Sequence, residues 1–131
     1  MSNYDFIIVG AGSAGCVLAN RLSQNPSNKV LLLEAGGSDR RFFIQMPIGY
    51  GVTYHQKAVN WMYMTEPSPD ADNKASYWPR GKVLGGSSSI NAMVYVRGNH
   101  KDFDQWSEMG NPGWSFNDVL PYFKKMESWQ N

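Results

Sequence analysis

Residues 4–37 constrain the fold more than any other part of this sequence. Their pattern predicts a strand, a glycine turn, a helix and a second strand, in that order. Residues 5–9 and 29–33 each consist of one charged residue followed by four apolar residues, and such apolar runs are typical of strands buried on both faces of a parallel sheet. Between them, residues 13–23 carry apolar side chains at helical spacing. The sequence therefore predicts an α/β fold that opens with a Rossmann-like βαβ unit.

The turn after the first predicted strand reads Gly10-Ala11-Gly12-Ser13-Ala14-Gly15, a GxGxxG pattern. In this context Gly10 permits a tight turn, Gly12 lets the backbone approach a pyrophosphate, and Gly15 lets the helix pack closely on the strand. Free N–H groups at the start of the helix would hold the pyrophosphate, where the helix dipole favours negative charge. The pattern predicts dinucleotide binding at Gly10, Gly12, Ser13, Ala14 and Gly15.

An acidic residue follows the second predicted strand. Glu34 lies at the distance from the glycine turn where a carboxylate accepts hydrogen bonds from the adenosine ribose hydroxyls. Ala35 follows it in place of an arginine, so a 2′-phosphate would be repelled and an NADP site is disfavoured. Glu34 and Ala35 are therefore predicted cofactor-binding residues, although these features alone do not distinguish NAD from FAD.

A glycine- and serine-rich stretch in the second half of the chain distinguishes FAD from NAD, through its resemblance to a known family. Residues 79–95 read PRGKVLGGSSSINAMVY, which resembles the first signature of the glucose–methanol–choline (GMC) oxidoreductases. Residues 4–10 and 113–125 resemble the same family, so the resemblance covers essentially the whole chain. It favours the choline dehydrogenase-like and alcohol oxidase-like members, and it implies FAD as the cofactor.

The resemblance also implies cofactor contacts within the signature. Gly85, Gly86 and Ser87 would bring backbone and hydroxyl donors against FAD, since small residues let the chain lie against a large flat cofactor. The segment that follows would line the isoalloxazine ring. The implied cofactor-binding residues are Val83, Gly85, Gly86, Ser87, Asn91, Ala92, Met93 and Val94.

The resemblance further bears on linkage and catalysis. Ile90 stands where some members of the family carry a histidine that attaches FAD covalently, so we expect non-covalent FAD. The family's catalytic histidine and its partner lie far towards the C-terminus, so no catalytic residue is expected in this chain and His55 and His100 are expected to be loop residues. The implied activity is oxidation of a primary alcohol by hydride transfer to FAD, and the chain alone should be inactive.

We predict three segments in an incomplete domain of a larger flavoprotein. Residues 1–37 form the dinucleotide-binding unit, residues 38–80 form a loop-rich segment that covers the flavin, and residues 81–131 hold the second FAD-contact segment and further helices. Helices are predicted near residues 102–109 and from a capping box at Ser115. The substrate domain is absent, so the expected partners are the remaining C-terminal polypeptide and a small alcohol substrate.

Composition disfavours several other function classes. The formal net charge is +1, which gives no electrostatic reason to expect nucleic acid as a partner. The single cysteine, Cys16, excludes an internal disulfide, no metal site is expected, and we expect this side chain to pack against the sheet.

No apolar run reaches the roughly 20 residues that a membrane-spanning helix needs. The first apolar run also lacks the preceding basic residues of a signal peptide, so we expect a cytoplasmic protein. Two alternatives stay open from the sequence alone. One is an NAD-binding dehydrogenase fragment, and the other is a short non-enzymatic nucleotide-binding module.

Overall fold

A computed structural model of the chain describes residues 3–127, and these divide between Met93 and Val94 into two compact units. Residues 81–93, which we grouped with the later helices, belong to the first unit. The regular elements of the first unit are, in order, β1 (Phe6–Val9), α1 (Ser13–Leu22), β2 (Val30–Leu33), α2 (Phe42–Gln45), α3 (Tyr50–Thr53), β3 (Tyr63–Met64) and β4 (Tyr77–Trp78), with 3₁₀ turns at Pro47–Gly49, Pro69–Ala71 and Gly86–Ser89.

The predicted βαβ unit is confirmed. Strands β1 and β2 pair in parallel, with Phe6 opposite Val30 and Val9 opposite Leu33. Each strand begins one residue later than predicted, where the Asp5 carboxylate accepts a hydrogen bond from the Lys29 N–H at 2.7 Å. The Asp5 side chain therefore accepts from the Lys29 N–H at the start of this pair, while the Asp5 N–H donates to the Lys29 carbonyl at 2.9 Å.

The burial predicted for these strands is wrong. Ile7 is 61% exposed and Val9 is 84% exposed, whereas Ile8 is 9% exposed. The described residues pair only these two strands in this sheet, and α1 packs against them, so most of the apolar surface has nothing over it. Cys16 is also exposed, contrary to prediction, and its Sγ lies 3.3 Å from the Ala11 carbonyl oxygen.

The middle segment is more ordered than its aperiodic sequence suggests. Its centre is a small apolar core in which Val59 and Val83 are fully buried and Ile90 is 6% exposed. Beside this core, β3 and β4 form a short antiparallel hairpin in which Tyr63 lies opposite Trp78. The segment predicted to be loop-rich therefore packs onto residues of the later signature.

The second unit contains two helices, α4 (His100–Glu108) and α5 (Phe116–Met126). The predicted capping box of α5 is confirmed, with Ser115 and Asp118 bonded reciprocally. Helix α4 begins two residues earlier than predicted, because the Asn99 side chain accepts a hydrogen bond from the Lys101 N–H. His100, predicted to be a loop residue, is instead the first residue of α4 and stacks on Phe116.

A bidentate ion pair joins Arg97 to Glu127 within the second unit. The Arg97 guanidinium donates to both carboxylate oxygens of Glu127, with Nε 2.8 Å from Oε1. Hydrogen bonding from Arg97, followed by that from Tyr95, lowers the pKa of Glu127 from 4.5 to about 2. The charged carboxylate is therefore favoured by the folded state.

We expect the second unit to lose stability as the pH falls from about 4.5 to about 2, the interval between the ordinary and the folded pKa of Glu127. Stability falls with pH because Glu127 has a lower pKa in the folded chain than in the unfolded chain. The unfolded chain therefore binds the proton first as the pH falls, and this binding favours unfolding. An NMR titration of the Glu127 carboxyl should give the low pKa, and Glu127→Gln should flatten the acid limb of the unfolding curve. Glu108→Gln, at an exposed site on α4, is the control. Identical acid limbs in the wild type and Glu127→Gln would contradict the prediction.

Within the described residues, no helix has the length and apolarity required to cross a membrane. The same part of the chain contains no group of three or more potential metal ligands.

Candidate functional site

Two glycine turns that lie far apart in the sequence meet in the first unit. The Gly85 N–H donates to the Ala11 carbonyl at 2.8 Å, and Gly12 forms an isolated parallel bridge with Gly85. Gly86 has φ +58°, and a Cβ added there would lie 2.8 Å from the Gly12 Cα. Only glycine fits this position without a backbone shift, so the GxGxxG turn and the later signature form one surface.

The first glycine turn has the geometry that its sequence predicts. Gly10 has φ +96°, which ends β1 in a tight turn. A Cβ at Gly15 would lie 1.9 Å from the Gly10 carbonyl oxygen, so the absence of a side chain lets α1 pack directly on the turn. Gly12 is the N-cap of α1, and no side chain caps that helix end.

A cavity of about 630 Å³ opens over this glycine surface. That volume lies within the range of small-molecule and cofactor sites. Six of its lining residues were predicted to bind cofactor, namely Gly10, Gly12, Glu34, Ala35, Gly86 and Ser87. The lining also includes Val9, Leu33, Trp61, Tyr63, Arg80 and Gly81.

Glu34 has a structural role that its position in the sequence does not reveal. Its Oε2 accepts a hydrogen bond from the Ala11 N–H and its Oε1 accepts one from the Gly36 N–H, both at 2.8 Å. The carboxylate therefore ties the end of β2 to the glycine turn. Each carboxylate oxygen has a further lone pair, so Glu34 can hold this geometry and still accept from a ligand.

Ser87 is held at the edge of the cavity as an oriented hydroxyl. The Gly81 N–H donates to Ser87 Oγ at 3.1 Å. Because that bond uses the oxygen as an acceptor, the Ser87 hydroxyl hydrogen is free to be donated elsewhere. The side chain is exposed on the cavity wall.

A second cavity, of about 280 Å³, adjoins the first and is lined by Tyr50, Tyr54, Pro79, Arg80, Ser87, Ile90, Asn91 and Ala92. Arg80 and Ser87 line both cavities. Glu34 lines the first cavity, Asn91 lines the second and Ser87 lines both, so we treat the two adjoining cavities as one groove. A groove made of two adjoining cavities suits a ligand with several linked groups.

The remaining predicted residues lie outside the lining of these two cavities. The Val83 side chain is fully buried in the apolar core. Met93 lines a smaller cavity of about 100 Å³ together with Asn91, whose Oδ1 accepts from the Met93 N–H at 2.8 Å. Ser13, Ala14 and Gly15 lie in the first turn of α1, Gly85 belongs to the glycine junction, and Val94 belongs to the second unit.

Trp61, Tyr63 and Arg80 line the cavity but were not among the predicted cofactor-binding residues. Their segment has no sustained period, so nothing assigned these side chains to a face. The spacing of Trp61 and Tyr63 gives no alternation signal either, because Met62 between them has φ +57° and the chain is not extended there. Arg80 lies at the start of the signature stretch, but no role for its side chain was predicted.

The sequence profile of the family described as GMC oxidoreductase matches residues 4–130. Oxygen-dependent choline dehydrogenase of Photobacterium profundum is 55% identical over 128 residues, covering 98% of this chain and 22% of that protein. The protein of the same name from Rhizobium etli is 56% identical over 123 residues, covering 94% of this chain and 22% of its own length. The chain thus spans less than a quarter of these relatives.

Solved structures agree with this match. The chain superposes on pyridoxine 4-oxidase from Mesorbium loti with a TM-score of 0.83 and 39% identity, over 92% of this chain and 24% of that one. A fungal aryl-alcohol oxidase gives a TM-score of 0.76 and 28% identity, over 100% of this chain and 23% of that one.

Proposed function

Because the chain belongs to the GMC oxidoreductase family, we propose that it binds FAD non-covalently as the N-terminal part of a longer enzyme that oxidises a primary alcohol. The observation that carries this proposal is the meeting of the two glycine turns beside two adjoining cavities, of which one is lined by Glu34 and the other by Asn91. An NAD-binding fragment would require no second glycine segment at this place.

Each part of the groove suits one part of the cofactor. The uncapped start of α1 presents backbone N–H groups that would bind the pyrophosphate. The Glu34 carboxylate would accept from the ribose hydroxyls, and the backbone around Asn91 and Ala92 would lie along the flavin ring. When bound, FAD supplies the electron-accepting chemistry of the reaction.

The surroundings of Ile90 support a non-covalent cofactor. The surroundings of His55 and His100 support a catalytic side chain that comes from polypeptide outside this chain. Ile90, at the position of the family's linking histidine, is 6% exposed and packs in the apolar core. His55 stacks against Tyr77, and His100 stacks on Phe116 in the second unit. We propose that the proton-accepting side chain comes from polypeptide beyond this chain, as does the surface that binds the alcohol.

A chimera tests this proposal directly. Residues 4–127 of this chain replace the matching N-terminal segment of the Photobacterium profundum oxygen-dependent choline dehydrogenase, to which the chain is 55% identical. We expect a yellow protein that oxidises choline and releases its flavin on denaturation, whereas the 131-residue chain alone shows no turnover. A folded chimera without flavin would refute the proposal, and flavin that stays attached after denaturation would refute its non-covalent part.

Glu34→Gln provides a sharper test within the chimera. Hydrogen bonds to charged groups are worth about 1.5–3 kcal/mol, so losing the ribose contact should weaken FAD binding about 10- to 200-fold. The apoprotein should also be destabilised by about 2 kcal/mol or more, because a neutral amide cannot accept from both the Ala11 and Gly36 N–H groups. Flavin titration and denaturant unfolding measure the two effects. Glu66→Gln, at an exposed site, should change neither, and unchanged FAD affinity in Glu34→Gln would remove Glu34 from the ribose site.

A further inference from the structure

We propose that Asn91 is a positioning residue for the flavin ring. Its side chain holds Met93 in the left-handed conformation, and the resulting turn fixes Ala92 in the wall of the second cavity. This inference rests on the proposed function and deepens it. Met93 has φ +58°, a conformation that residues with a Cβ seldom adopt. The Asn91 Oδ1 accepts a hydrogen bond from the Met93 N–H at 2.8 Å, and an asparagine that bonds the backbone two residues further on stabilises such a turn.

This turn directly follows a buried anchor and lines two cavities. Ile90, the residue before it, packs in the apolar core, and its N–H donates to the Ser87 carbonyl at 3.2 Å. Asn91 and Ala92 line the second cavity, whereas Asn91 and Met93 line the smaller cavity of about 100 Å³. The three residues of the turn therefore form wall in both cavities, so loss of the turn would displace the backbone that lines them.

The same arrangement recurs at another place in the first unit. The Asn60 Oδ1 accepts from the Met62 N–H at 2.9 Å, and Met62 has φ +57°. Trp61, between them, lines the first cavity, as Ala92 lines the second. Residues with a Cβ and a positive φ are uncommon, and they cluster at functional sites. Two such turns, each with its middle residue in a cavity wall, indicate that the strained conformation shapes the groove.

The hydrogen bond at Asn91 also indicates how this residue contributes to binding. Its Oδ1 is bonded within the chain, so we assign its effect to the backbone that it holds in place. If the turn forms only part of the time, the apparent affinity for the flavin ring falls in proportion to the population of the turn. A ligand that lacks the flavin ring does not depend on that population.

Titration of FAD and ADP into Asn91→Ala tests this role, because ADP lacks the flavin ring. The titrations use the full 131-residue chain, and the apo chimera for any variant that circular dichroism shows to be unfolded. We expect Asn91→Ala to weaken FAD binding about 2- to 12-fold, the value of one ordinary hydrogen bond, with ADP binding unchanged. In a chain that already carries Met93→Gly, Asn91→Ala should have almost no effect on FAD affinity, because glycine adopts the left-handed conformation without strain.

Asn25→Ala is the matched control. The Asn25 Oδ1 accepts from the Ser27 N–H at 3.1 Å, which is the same type of hydrogen bond in an exposed turn of the same unit. This variant should leave both affinities unchanged, and a loss of FAD affinity equal to that of Asn91→Ala would overturn the positioning role. Unchanged FAD affinity in Asn91→Ala, an equal loss of FAD and ADP affinity, or an equal effect with and without Met93→Gly would also overturn it. Wild-type protein that does not bind FAD, alone or within the chimera, would overturn the proposed function itself, and this inference with it.

Discussion

Replacing Gly15 with alanine should unfold the βαβ unit and abolish flavin loading. The added Cβ would lie 1.9 Å from the Gly10 carbonyl oxygen, and the next contact is also with the backbone of Gly10. No side chain can rotate to relieve this clash, so α1 must move away from the turn that it packs against. Overpacking of this kind costs about 1–3 kcal/mol, and a backbone contact this short places the cost at or above the upper end.

Gly51→Ala is a matched control for this effect. Gly51 also lies within a helix, α3, but a Cβ there has nothing within 4 Å. Alanine is a better helix former than glycine by about 0.5–1 kcal/mol, so this variant should be unchanged or slightly more stable. Denaturant unfolding of the chain and the flavin content of the chimera measure both variants. Equal stability of Gly15→Ala and Gly51→Ala would show that α1 does not pack as described.

Replacing Asn60 with alanine should destabilise the first unit by about 3–5 kcal/mol, because it leaves several polar groups without partners. Asn60 is 1% exposed, and its Oδ1 accepts from the N–H groups of Met62 and Arg80 at 2.9 and 3.0 Å. Its Nδ2 donates to the Tyr54 carbonyl at 2.8 Å and to the Tyr77 hydroxyl at 3.2 Å. One amide therefore joins α3, the hairpin and the start of the signature stretch.

Two further variants allow the loss of stability in Asn60→Ala to be compared with smaller expected losses. Tyr77→Phe removes one hydroxyl from the network and should cost only about 0.5–1.5 kcal/mol. Asn20→Ala, at an exposed site on α1, should have almost no effect. The free energies of unfolding should rank in that order, and flavin loading of the chimera should fall with Asn60→Ala, because Arg80 and Trp61 lose their support. A cost for Asn60→Ala no larger than that of Asn20→Ala would contradict the assigned role.

The local parts of this fold were predictable, and the long-range parts were not. The apolar runs and GxGxxG predicted β1, α1 and β2, and Ser115 with Asp118 predicted the start of α5, because each signal lies within a few neighbouring residues. The burial of β1 and β2 could not be predicted from their composition, since it depends on how many strands and helices pack around them. Ile7 is apolar, yet it is 61% exposed here.

The middle segment could not be predicted from its sequence for a different reason. Its core joins Val59 to Val83 and Ile90, and its polar centre is a single asparagine. Contacts between distant, irregularly spaced residues leave no period in the sequence, so neither the role of Asn60 nor the place of Trp61 and Tyr63 in the cavity lining could be found from pattern alone. The predicted cofactor residues, by contrast, came from local motifs, and six of them line one cavity.

The contact between Gly12 and Gly86 also has a consequence for folding kinetics. It closes a loop that contains β2, the helices of the middle segment and the hairpin, so forming it requires most of the first unit to be in place. Loop-closure entropy must be overcome before such a contact stabilises the chain, and high contact order slows folding. The βαβ turn can therefore form early during synthesis, while the complete groove, which includes Asn91 and Ala92, can form only after residue 92 has left the ribosome.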